Sequence, residues 1–235
     1  MAQGLVIVVE GIIGAGKSTL SQELGKALGS DTLTLMEPDE QGNANPYLAD
    51  FYGDKTRWAF SMQIHLLISR LRMQQSAQWH SMSGRGNAVL DRSYFGDVCF
   101  ARLMHGTGEI THREFETYRI AYQTMTASVL LPSVCVRLRV DPAVAAERIR
   151  RRAEMREGRR SELVIDLGYL ESLDREIDSM VSTLEQQGVR VFEVPWTVDR
   201  QTPEDRIQAI QRLAAEIVET APNDLFKLHH QRIMA

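Results

Sequence analysis

Residues 9 to 20 read VEGIIGAGKSTL, a glycine-spaced loop between an apolar run, LVIVV, and a segment of helical composition, STLSQELGKAL. Glycines at 11, 14 and 16 let the backbone curl until successive N–H groups point at one anion. The run before the loop reads as a buried parallel strand, and the segment after it as a helix whose N-terminus adds partial positive charge. Gly11 to Ser18 therefore match G-x-x-x-x-G-K-[ST] in the strand–loop–helix order that this pattern requires. The candidate phosphate-binding set is Gly11, Gly14, Ala15, Gly16, Lys17, Ser18 and Thr19. Lys17 is expected to reach the outer phosphates, and Ser18 to offer its hydroxyl to Mg²⁺. ATP and Mg²⁺ are the implied cofactors; the loop says nothing about the acceptor.

Five β-rich runs, LVIVVE, TLTLMEP, NAVLDRS, SVCVRLRV and VRVFEVP, alternate with helical stretches. Such alternation specifies an α/β fold, a doubly wound five-stranded parallel sheet with helices on both faces. At 235 residues and 43% apolar, the chain is long enough for one full core,. One domain over 1–220 is expected, with the loop at 11–18, an Arg-rich lid at about 148–165, and a C-terminal tail at 221–235. Long amphipathic segments are expected from about Thr56 to Trp79 and from about Thr111 to Leu131. A formal net charge of −4 argues against general nucleic-acid binding,. No apolar run is long enough for a membrane span, and a first strand beginning at about Leu5 leaves no room for a signal peptide. Cys99 and Cys135 stand far apart in apolar contexts, as reduced core thiols do, so a cytoplasmic protein is expected. The adjacent His229 and His230 read as surface residues of the tail.

In open α/β sheets ligands bind beyond the carboxyl ends of the strands, so polar residues finishing strands are informative. The second strand ends in MEPD, placing Glu37 at the crevice edge with Pro38 behind it, as a carboxylate able to take a proton. The third ends in LDRS, placing Asp91 for a water-mediated magnesium contact and Arg92 to orient Glu37 or screen phosphate charge. The ordinary alternatives are a Glu-Pro turn and an Asp-Arg-Ser helix cap. After the fourth strand, Arg148, Arg150, Arg151, Arg152, Arg156, Arg159 and Arg160 crowd a short span. That run is either a solvated helix face, with Glu147 and Arg151 paired, or a lid closing over a transferring phosphoryl group.

The ordered set GIIGAGKST, EPDEQGNANPYLADFYGDKTRWAFSMQIHLLISRLRMQ, VLDRSYFGDVCFA and VDPAVAAERIRRRAE…GYLESL resembles the deoxynucleoside kinases, in particular the bacterial deoxyadenosine/deoxyguanosine kinase branch. The resemblance runs from about Leu5 to Glu193. It implies ATP-dependent transfer to the 5′-hydroxyl of a deoxynucleoside and a homodimer. Residue by residue, it makes Glu37 the catalytic base and Arg92 the arginine supporting it. Asp91 stands where many members have Glu, Tyr52 matches the tyrosine on the sugar 3′-OH, and Glu157 lies near the lid carboxylate that shares that contact. Gln63 matches the glutamine on the base edge, Arg70 follows seven residues on along the same helix face, and Asp97 matches its acid partner,. Trp58, Phe60 and Phe95 are candidates for the ring faces.

The reaction expected from these residues is direct in-line transfer, with Lys17 and the loop amides on the phosphates, Glu37 taking the hydroxyl proton, and Arg148, Arg150 and Arg152 closing over the group. Two alternatives share the fold: a nucleoside monophosphate kinase of the thymidylate kinase type, whose acceptor is a dianion, and a non-catalytic accessory subunit.

Overall fold

In the computed structural model, which describes residues 4–37, 45–155, 163–196 and 202–221, five parallel strands lie in the order β2-β3-β1-β4-β5. They are β1 (Val6–Glu10), β2 (Leu33–Leu35), β3 (Ala88–Asp91), β4 (Val134–Arg139) and β5 (Arg190–Pro195). The β-branched run Val6 to Val9 has no exposed surface, because β1 is the central strand and is covered on both faces,. Its register pairs Val9 with Asp91 of β3 and Val9 with Val136 of β4, so these strands finish at one edge of the sheet.

Eight helices are described: α1 (Lys17–Ala27), α2 (Leu48–Gly53), α3 (Lys55–Met82), α4 (Tyr94–Gly106), α5 (His112–Thr126), α6 (Pro142–Met155), α7 (Leu167–Gln186) and α8 (Pro203–Thr220). Helices α1 and α8 pack together, as do α3 with α4 and α4 with α7, with the sheet between the two groups. Several starts are written locally. Asp54, Ser93, Asp166 and Thr202 each accept a backbone N–H from the first turn, and Thr111 with Glu114 closes a capping box,.

Three boundaries differ from the sequence expectation. Strand β2 covers only Leu33–Leu35, so Glu37 lies beyond the strand; Pro38 lies outside the described residues. Helix α5 stops at Thr126, well before Leu131, because the apolar residues that follow belong to a buried connection ahead of Pro132, which disfavours helix at its predecessor,. Helix α3 runs on to Met82, with Ser83 hydroxyl bonds to the carbonyls of Trp79 and His80 at its end. Cys99 and Cys135 are buried free thiols. Among the described residues no group of His, Cys, Asp and Glu is arranged to hold a metal by itself, and no helix is long and apolar enough to cross a membrane.

Candidate active site

The glycine loop delivers the chain into α1 with no side-chain cap. Gly16 is the N-cap residue at φ +94°, Gly14 sits at φ +80°, and the first-turn amides of α1 are left for an external acceptor,. A Cβ on Gly16 would come within 2.6 Å of Trp196 Nε1, so the left-handed turn and the close approach both demand glycine there,. Lys17 is buried, and its ammonium donates to the Ile12 carbonyl at 2.9 Å across the loop. Burial, reinforced by the Arg92 charge, pulls its pKa down to about 7 against the opposing pull of Asp91, Glu37 and Glu10,.

The Ser18 hydroxyl donates to Asp91 Oδ2 at 2.5 Å, while Asp91 Oδ1 is buried without a partner. Burial pushes the Asp91 carboxyl above its usual range, with Lys17 working against it. A hydroxyl and a carboxylate with an orphaned oxygen converging beside a phosphate cradle fit the hard oxygen ligation of Mg²⁺.

Beyond β2, a chain of charge crosses the floor of the crevice. Arg70, 2% exposed, donates to Glu37 Oε1 with one guanidinium nitrogen and to Asp97 Oδ1 with another. Arg92 donates to Glu37 Oε2 at 2.8 Å and to the Gly11 carbonyl at 3.2 Å, tying the carboxylate to the phosphate loop. Burial disfavours charge on Glu37, but Arg70, Arg92 and Lys17 outweigh it and hold the carboxyl down at about 2,. The Phe100 ring lies under both guanidiniums, 5.5 Å from Arg70 and 4.9 Å from Arg92,. Asp97 has no exposure, and its Oδ2 is taken by the Tyr118 hydroxyl of α5. Gln63 donates through Nε2 to the Asp97 carbonyl at 3.1 Å, which leaves Gln63 Oε1 and Arg70 Nε buried with no partner.

These groups border a cavity of about 550 Å³ that opens between the loop and α3, the size of a small-molecule site,. Gly14, Lys17, Ser18, Thr19, Glu37, Tyr52, Gln63, Arg70, Asp91, Arg92 and Arg152 line it. Asp97 stands behind Arg70 and does not line it. Of the lid arginines, Arg152 reaches the cavity, whereas Arg148 donates to the Ala15 and Trp196 carbonyls at 3.3 and 3.2 Å and Arg150 is exposed. At 100° per residue, Arg148 and Arg152 share one face of α6 and Arg150 lies on the other. Glu157, with the rest of 156–162 in the middle of the lid, lies outside the described residues.

The apolar walls are Phe51, Met62, Leu66, Phe100 and Met104 rather than Trp58, Phe60 and Phe95. Trp58 packs on Tyr47 with ring centroids 5.9 Å apart, Phe60 joins the main core, and Phe95 stacks on Tyr94 at 4.0 Å. Tyr118 and Phe100 escape a reading by motif. Phe100 falls one turn after Asp97 and is recoverable from helical phase; Tyr118 lies on another helix, and nothing local marks it.

A parallel sheet with an anion-binding glycine loop, a serine–aspartate pair for a hard cation and an ionised carboxylate over a nucleoside-sized cavity define a P-loop phosphotransferase. A sequence profile described as "Deoxynucleoside kinase" matches residues 7–219. The chain belongs to the deoxynucleoside kinase family. It is 31% identical over 195 residues to a deoxyadenosine kinase of Dictyostelium discoideum, covering 83% of this chain and 74% of that protein. A deoxyadenosine/deoxycytidine kinase of Bacillus subtilis (strain 168) is 33% identical over 178 residues, 75% of this chain and 76% of that one. Among solved structures, deoxyadenosine kinase from M. mycoides with bound dATP superposes with a TM-score of 0.71 at 26% identity, covering 90% of this chain and 99% of that chain. The protein is thus an enzyme that phosphorylates a deoxynucleoside, which answers the two alternatives left open by the sequence.

Proposed function

We propose that this kinase moves the γ-phosphoryl group of ATP, with Mg²⁺, to the 5′-hydroxyl of a deoxynucleoside, a purine (deoxyguanosine or deoxyadenosine) first and deoxycytidine second. The supporting observation is the ion-paired chain Asp97–Arg70–Glu37–Arg92, buried except at the partly exposed Glu37, which couples a base-reading position on α3 to a carboxylate tied to the phosphate loop. Lys17 and the amides from Gly14 to Thr19 hold the β and γ phosphates. Ser18 and Asp91 hold Mg²⁺, which when bound neutralises charge on the phosphate oxygens. Glu37 orients the hydroxyl and takes its proton. A carboxylate with a pKa of about 2 is a weak base, so the proton arrives late, once bonding to phosphorus has made the hydroxyl acidic,. Arg92 balances the charge on Glu37, and Arg152 covers the transferring group from α6, with Arg148 bracing the loop.

The base edge meets an orphaned acceptor, Gln63 Oε1, and an orphaned donor, Arg70 Nε, a pairing that suits a ring edge carrying one amino or imino N–H beside one acceptor,. Tyr52 is assigned to the sugar 3′-OH, and Glu157 to the lid carboxylate beside it. The working unit is one domain over 1–220 with a lid at about 148–165, acting in the cytoplasm as a homodimer; exposed Trp79 on α3 and Ile120 on α5, 71% and 58% accessible, support a partner surface,.

The test is ADP release with ATP and Mg²⁺, comparing the four deoxynucleosides with their monophosphates. Turnover on deoxyadenosine or deoxyguanosine that is lost in Arg70→Ala is the expected result. Turnover on a monophosphate alone would overturn the assignment of what faces Glu37.

A further inference from the structure

Strand β1 ends on Glu10, a carboxyl with no exposed surface that does not line the cavity. Its Oε1 accepts from the Ser93 N–H at 2.9 Å and from the Ser93 hydroxyl at 2.5 Å. That hydroxyl oxygen accepts in turn from the N–H groups of Phe95 and Gly96 at 3.2 and 3.5 Å, so one side chain anchors the start of α4. Room has been kept for it, since a Cβ on Gly96 would lie 2.7 Å from Glu10 Oε2. One residue before this anchor, Arg92 sits at φ +71°, the only positive φ of a non-glycine residue among the described residues. An L-residue holds that conformation only when its surroundings over-determine it. Here the Arg92 N–H is bonded to the Val9 carbonyl at 3.1 Å and the next residue to Glu10, so consecutive groups of β1 grip the turn from both sides.

We propose that Glu10 is a positioning residue for phosphoryl transfer: through Ser93 it holds Arg92 in the left-handed conformation from which the guanidinium reaches both Glu37 and the Gly11 carbonyl. The inference rests on the roles given above to Glu37 and Arg92. Without the Glu10 anchor, the turn relaxes to negative φ and the guanidinium swings away from the carboxylate, leaving the phosphate loop itself intact. The defect therefore belongs to the transfer step and not to ATP binding.

A double-mutant cycle in the full-length protein tests this, reading kcat and the KM for ATP in Glu10→Ala, Arg92→Ala and the double variant, with Glu10→Gln as the rescue. Glu10→Ala is expected to lower kcat on the order of tenfold or more with the KM for ATP within about twofold. Glu10→Gln keeps an oxygen for both Ser93 bonds and recovers most of the loss. In the Arg92→Ala background, Glu10→Ala adds no further loss, because the residue through which it acts is gone. Should Glu10→Ala fail to fold, Ser93→Ala, which removes the hydroxyl's bonds to Glu10, Phe95 and Gly96 but keeps the Ser93 N–H on Glu10, takes its place with a smaller loss of kcat and the same non-additivity. Equal losses in both backgrounds, or a loss confined to the KM for ATP, overturn the proposal while the site reading stands. Wild-type kcat in Arg92→Ala overturns the site reading, and the proposal with it.

Discussion

Glu37 and Lys17 carry the two most informative charges of the site, and each makes a prediction of known sign. Glu37, held ionised at about 2 against an ordinary 4.5, contributes stability that is present above 4.5 and lost as pH falls toward 2,. Its ionisation therefore puts no inflection near 4.5 in the pH profile of kcat/KM. Arg92→Met removes one of the balancing charges, and an acid limb is expected to move up toward 4.5; an unmoved profile would break the link between the two side chains. Glu37→Gln is expected to lower kcat by about 10²- to 10⁴-fold, the range for loss of a general base, with the KM for ATP nearly unchanged. Lys17 runs the other way. Its pKa of about 7 lies below the ordinary 10.5, so burial costs stability that grows as pH falls from 10.5 toward 7,. Phosphates arriving at the loop favour the ammonium, and nucleotide binding at pH about 8 should take up protons. Titration calorimetry in buffers of different ionisation heat measures that uptake, and Lys17→Met should abolish it.

At the scale of elements, the site is assembled where β1, β3, α3, α4 and α5 meet. The Tyr118 hydroxyl, on α5, is what completes Asp97 on α4, and both side chains are fully buried. Tyr118→Phe is therefore expected to leave Asp97 Oδ2 unsatisfied and to cost about 1–3 kcal/mol, read as a lower denaturant midpoint at an unchanged slope. The same change loosens the acid that orients Arg70, so the KM for the deoxynucleoside should rise more than the KM for ATP. The loop and the capped helix starts could be read from the chain because their determinants are local: glycines for left-handed turns, and Ser, Thr or Asp one residue before a helix. The Arg70–Glu37 contact had no such signature, since the two residues are brought together only when α3 packs beneath the end of β2. Arg148 shows the converse. Counted as one of a run of lid arginines, it is drawn by the packing of α6 onto the loop into a brace for Ala15 and Trp196.

For the whole molecule, a net charge of −4 goes with four cations, Lys17, Arg70, Arg92 and Arg152, at the lining of one cavity, where they favour an anionic ligand,. Ile120→Asp is expected to shift sedimentation from twice the 26.6 kDa chain mass to the chain mass itself, with kcat per site within about threefold,. A wild-type protein that sediments as a monomer would remove the homodimer from the proposal. The sequence by itself determined the parallel α/β sheet, the phosphate loop and the polar residues beyond β2 and β3, because strand periodicity, glycine conformation and capping act over a few neighbouring residues. The tertiary structure alone decided which aromatic rings wall the cavity, which arginines face it, that Tyr118 completes Asp97, and that Glu37 is held ionised between Arg70 and Arg92. Those outcomes depend on burial and on charges far apart in the chain, whose energies exist only once the elements have packed.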